Sequence, residues 1–147
     1  FNSTRPTSTV FSVGTSDNTN KLNEDLIAYC FAEIEGYSKI DSYTGNNSSD
    51  GPFVYTGFRP AWILIKRTDN SSGARWAIFD NKRDVDNPIN HTLIADDLLV
   101  EDTSTVRLDI LSNGFKARQS GTTINTTNGE YIYMAFADQP FKYANAR

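Results

Sequence analysis

Residues 26–34 read LIAYCFAEI, and residues 131–137 read YIYMAFA. The fold class turns on whether these two runs are strands or helices. Both are short and rich in aromatic and β-branched residues, which pack well on a pleated surface. If the first run is extended, Leu26, Ala28, Cys30 and Ala32 share one side, and Ile27, Tyr29 and Phe31 share the other. Both sides are apolar, so the pattern predicts a strand buried on both faces.

The two runs sit in longer stretches that resemble each other, residues 11–37 and 115–141. Each stretch opens on a Phe, crosses a polar loop, meets an acidic residue (Glu24 or Glu130) and enters its apolar run. Phe31-Ala32-Glu33 matches Phe136-Ala137-Asp138, and an aromatic closes each copy, Tyr37 or Phe141. Ile27, Tyr29 and Phe31 then correspond to Ile132, Met134 and Phe136, and Cys30 to Ala135. Shared alternation at two places favours strands. The second copy is preceded by a long block and the first is not. Residues 1–40 are therefore expected to be the C-terminal part of a preceding repeat unit packed onto the next, and residues 41–147 the main unit.

Working outward, residues 10–13 read as a short strand. Residues 37–40, 53–55, 61–67, 76–79 and 92–95 read as further strands. Residues 105–111 alternate, with Val106, Leu108 and Ile110 inward and Arg107 and Asp109 outward. Ser112-Asn113-Gly114 is a hairpin signal, and residues 115–118 are its return strand. Residues 43–52, 68–73 and 119–128 are turn-rich loops. Residues 81–90 carry charges and Pro88 and read as an exposed excursion. No helical periodicity of useful length appears. Short strands with frequent turns predict an all-β, antiparallel β-sandwich with little or no helix.

The 147 residues are 38% hydrophobic but 12% aromatic, so the core must be built from a few large side chains. Fourteen Lys and Arg stand against 18 Asp and Glu, a net charge of −4 with interspersed signs. Nucleic acid needs a basic field, which is missing, so it is not an expected partner. No apolar run is long enough to span a bilayer. A single cysteine, Cys30, allows no internal disulfide, which fits folding in a reducing cytoplasm.

The stretch EGYSKIDSYTGNNSSDGPFVYTGFRPAWILIKRTD (residues 35–69), then WAIFDNKRD, the LDILSNGFKAR hairpin and the ending YIYMAFADQPFKYANAR, resembles repeat domains in tail-fibre and other virion proteins of tailed, marine-type bacteriophages. The resemblance covers nearly the whole chain. It implies a virion structural protein, of tail-fibre or receptor-binding type, made in the bacterial cytoplasm. It implies a lectin-like sandwich (jelly-roll or concanavalin type), other virion subunits as partners in a homo-oligomer, and a host cell-surface glycan as ligand. A purely structural subunit, a capsid decoration or spacer, is the alternative. The pattern's W-x-x-x-D-x-x-R element is matched by Trp76, Asp80 and Arg83.

Chemistry-bearing residues are sparse. His91, the only histidine, has no G-x-S-x-G elbow to serve and reads as solvent-exposed. Cys30 reads as a small core residue. The carboxylates at Asp80, Asp84 and Asp86, and at Asp96, Asp97, Glu101 and Asp102, follow no EF-hand spacing. They read as loop charge, with Ca²⁺ the minority alternative and glycoside hydrolysis rarer. No other cofactor is expected, and no enzyme. Asp80 and Arg83 are expected to pair and brace the loop after Trp76. Trp76, Asp80, Arg83, Tyr43 and Tyr55 are the ligand-binding candidates, because aromatic faces pack on sugar rings. Trp62 reads as core.

Overall fold

The computed structural model describes residues 4–70 and 74–139. Residues 71–73 of the 68–73 loop, and Phe141 at the end of the second repeat copy, lie outside the described residues. The chain forms two compact units, Phe1–Phe31 and Ala32–Arg147, which part ahead of the boundary expected at residue 40.

Among the described residues, the second unit is a β-sandwich. Its strands are β1 (Ser38–Thr44), β2 (Phe53–Tyr55), β3 (Pro60–Arg67), β4 (Trp76–Asp80), β5 (Leu93–Ile94), β6 (Leu108–Leu111), β7 (Gly114–Ala117) and β8 (Glu130–Ala137). One sheet has the order β1-β8-β3-β4-β5 and the other β2-β7-β6. Every neighbouring pair is antiparallel.

The core lies between the sheets. Ile63, Ile65, Ala77, Phe79, Tyr131, Tyr133 and Ala135 come from the larger sheet, and Val54, Leu108, Ile110, Phe115 and Ala117 from the smaller. The Phe115 ring meets Tyr133 edge-on at 5.4 Å, joining the two layers. Leu108 and Ile110 point inward as the alternation of residues 105–111 predicts, whereas Val106 lies before β6 and is exposed. Leu111 pairs with Gly114 across the turn at Ser112 and Asn113. Gly114 is required by close approach: a Cβ there would collide with the Val54 carbonyl oxygen on β2.

Residues 130–137 form the central strand β8, bonded to β1 on one side and β3 on the other. The matching residues 26–34 do not form a strand. Ile27 and Tyr29 are 81% and 82% exposed, Leu26 is exposed, and Cys30 is exposed rather than in a core. A strand exists only as a rung of a ladder, and no ladder accepts these residues here. Side-chain alternation alone therefore did not make one. Residues 10–13 likewise form no strand. Among the described residues of the first unit, the only regular element is the single turn α1 (Asp17–Asn20), capped by the Ser16 hydroxyl.

Both long edges are closed by side chains. On β1, the Ile40 N–H donates to Glu33 Oε1 at 3.0 Å and the Ser42 N–H to Asp41 Oδ1 at 2.8 Å. Lys39 bridges the same two carboxylates. On β6, the Asn87 amide imitates a neighbouring strand. Its Oδ1 accepts from the Ile110 N–H and its Nδ2 donates to the Ile110 carbonyl, both at 2.8 Å. Ile89 continues the contact with backbone bonds to Leu108 and Arg107 and is fully buried. Residues 81–90 are thus not a simple exposed excursion. Their backbone supplies the outermost rung of the smaller sheet.

Candidate functional site

The W-x-x-x-D-x-x-R element is a brace. Asp80, at the end of β4, accepts the backbone N–H groups of Lys82 and Arg83 through Oδ1, closing a turn. Its Oδ2 lies 2.6 Å from Arg83 Nε. The same guanidinium reaches Glu101 Oε1 at 2.6 Å and the Ile78 carbonyl at 3.2 Å. Partial burial pushes the Asp80 pKa up, but the Arg83 N–H and guanidinium outweigh it and hold the carboxyl below its usual range. The pairing of Asp80 with Arg83 is as expected from sequence. The Lys82 and Arg83 N–H groups, Glu101 and the Ile78 carbonyl engage the two side chains further.

A second brace follows. Asp84 Oδ2 accepts the N–H groups of Asn90 and His91, and Asp84 Oδ1 lies 2.6 Å from His91 Nδ1. His91 is half-buried against this carboxylate, not solvent-exposed as expected. A third carboxylate, Asp102, accepts from Ser104 and Thr105 and pairs with Arg107 at 2.7 Å. The Ser104 N–H foremost, with the Thr105 and Arg107 contacts, holds it well below the usual carboxylate range. Among the described residues, no three His, Cys, Asp or Glu side chains converge as a metal would require.

Tyr43 is also used inside the fold. Its ring stacks on Tyr131 at 5.0 Å and its hydroxyl donates to the Ile124 carbonyl at 2.7 Å. Burial pushes its pKa well up. Trp76 is half-buried, with the Lys66 ammonium 5.6 Å from its ring centroid. Trp62 is half-buried as well, tilted against Phe136 on the side of the sheet away from the core.

Tyr55 is different. β2 buries only Val54 and presents Phe53 and Tyr55 to solvent on one side. Tyr55 is 65% exposed. The register sets Phe53 opposite Lys116 and Tyr55 opposite Gly114, with Asp109 beyond Lys116 on β6. The missing side chain at Gly114 leaves room for the Phe53 ring to lie across it. Lys116 pairs with Asp50 at 2.7 Å and Arg118 with Asp109 at 3.5 Å. The result is an aromatic pair bordered by charged hydrogen-bonding groups. Phe53, Lys116 and Asp109 were not singled out in the sequence. The available signal was the triplet Phe-Val-Tyr, which puts two aromatics on the face opposite a buried Val.

The loop of residues 45–51 beside this face is held by Asn125, which is fully buried. Its Oδ1 accepts the Asn46 N–H at 2.7 Å, and its Nδ2 donates to Ser48 and Gln119 carbonyls and to Asn46 Oδ1.

Among the described residues no helix is long and apolar enough to cross a membrane. No curated protein and no solved structure matches the chain. The model of one family, described as Domain of unknown function (DUF7483), matches residues 1–140, and the chain belongs to that family.

Proposed function

We propose that the chain is a non-catalytic, lectin-like recognition domain of a tailed-phage virion that contacts a host-surface glycan through Phe53 and Tyr55. The observation carrying this reading is the exposed aromatic pair bordered by Lys116, Asp50, Asp109 and Arg118. Aromatic faces cover the apolar face of a sugar ring, and the charged rim can exchange hydrogen bonds with its hydroxyls. A non-catalytic role is supported by the carboxylates. Asp80 and Asp84 accept several donors each and are held in the ionised form, which suits a brace and not a general acid.

The test is binding of the isolated chain to host cells and to a glycan array, with Phe53→Ala and Tyr55→Ala as variants. Each is expected to weaken binding roughly two- to tenfold, since an aromatic ring contact contributes about 0.5–1.5 kcal/mol. Trp76→Ala should leave binding unchanged. Attachment that survives both substitutions, or none to any candidate host, defeats the reading. Reducing-end release from host polysaccharide is expected to be nil.

A purely structural role in the particle is the second reading. It is favoured by the internal use of Tyr43, Asp80 and Arg83, which turns three ligand-binding candidates into framework.

A further inference from the structure

The aromatic pair on the smaller sheet lies among cations that carboxylates already hold. On the outward side of this sheet, Lys116 stands in register between Phe53 and Asp109. Its ammonium is taken by Asp50 Oδ1 at 2.7 Å, and the Arg118 guanidinium by Asp109 Oδ2 at 3.5 Å. These four groups sum to no net charge. Asp50 is also held in place for its pairing. Its N–H donates to Ser48 Oγ at 3.1 Å, and its carbonyl accepts from Asn46 Nδ2 at 3.3 Å. The next N–H, of Gly51, donates to the Ala117 carbonyl at 3.1 Å. Glycine is required there, because a Cβ would collide with that same carbonyl oxygen. The Lys116 hydrogen bond holds the Asp50 carboxyl below its usual range, so the pair is fully ionised at neutral pH.

We propose, resting on the reading that Phe53 and Tyr55 stack on a sugar, that this face takes neutral sugars and turns acidic ones away, and that Asp50 sets the choice. A sugar carboxylate arriving over the two rings meets Lys116 and Arg118 already paired. To reach either cation it must displace Asp50 or Asp109, and it then stands beside the carboxylate it has displaced. Like charges brought together in a contact that sheds water are a means of excluding a ligand. A neutral sugar leaves both ion pairs intact. Its hydroxyls donate to the remaining carboxylate lone pairs and accept from the remaining ammonium and guanidinium hydrogens. The loop that carries Asp50 is tied to the buried Asn125, so the carboxylate is presented at a fixed position beside the rings and does not swing away with solvent.

The probe is a glycan array printed with matched pairs, glucosides beside glucuronides and galactosides beside galacturonides. The members of a pair differ only in a hydroxymethyl or a carboxylate group at one carbon. The unmodified chain is expected to bind the neutral member at least about fivefold more tightly at low salt, and the ratio to shrink as added salt screens the repulsion. Asp50→Asn keeps the shape of a mostly exposed side chain and frees Lys116, so the variant folds and the ratio is expected to fall to about one or below. Equal or tighter binding of the acidic members by the unmodified chain, weakened in Phe53→Ala, would overturn the neutral preference and leave the glycan reading standing. A ratio unmoved by Asp50→Asn would overturn the role given to Asp50. Binding of no member, or binding that Phe53→Ala leaves intact, would defeat the glycan reading and the selectivity with it.

Discussion

Asn125→Ala is the most informative single change to the sandwich. Asn125 is completely buried, and its amide makes four hydrogen bonds, three of them to the 45–51 loop and one to Gln119. A typical hydrogen bond contributes about 1 kcal/mol net, and a buried group left without its partner costs about 1–3 kcal/mol. The Asn46 and Ser48 groups lie near the surface, where water replaces part of what is lost. The expected cost is therefore about 3 kcal/mol, or a fall in Tm on the order of 10 °C for a domain of this size. Urea unfolding followed by tryptophan fluorescence measures it. A double-mutant cycle with Asn46→Ala isolates one of the four bonds, because alanine keeps the backbone N–H that Asn125 Oδ1 accepts and removes only the Oδ1 that Asn125 Nδ2 engages. Coupling of about 1 kcal/mol or more is expected between the two. A loss below about 1 kcal/mol would refute the reasoning, since it would mean that the loop holds its shape without the amide.

Arg83→Met removes the guanidinium from Asp80, Glu101 and Ile78 while keeping the aliphatic stem. With both ion pairs partly solvated, the expected cost is about 2 kcal/mol by denaturant unfolding, with binding to host cells unchanged; loss of binding at full stability would make Arg83 a ligand contact instead of a brace. The folded-state pKa values of Asp80, Asp84 and Asp102 lie below their ordinary value near 3.8, so the stability they contribute is complete above that pH and is lost as pH falls through the lower, folded values. Thermal scans should give a flat Tm from neutral pH to about pH 5 and a steep fall below about pH 4. Asp102→Asn should shallow that fall, and a Tm that rises on acidification would contradict the assignment.

The strands were legible wherever alternation coincided with turn chemistry. Residues 61–67 and 76–79 became β3 and β4, and Ser112-Asn113-Gly114 gave the β6–β7 turn. The same rule failed on residues 26–34, because alternation reports which side chains could share a face and not whether a neighbouring strand exists to bond. β8 has two such neighbours. The binding candidates divided for a similar reason. The Asp80 and Arg83 brace joins residues three positions apart and could be read locally. The burial of Tyr43 depends on Ile124 and Tyr131, about eighty residues away, and the Asn125 hub on partners equally distant. Ile89 was hidden among charges, although it supplies the last rung beside β6.

The closure of β1 and β6 by carboxylates and an amide has a consequence for life at high local concentration. A bare sheet margin recruits any extended chain it meets, and copies held side by side would zip into fibres without limit. Here the margins at β1 and β6 offer acidic or already occupied groups, so crowded copies cannot zip together along them.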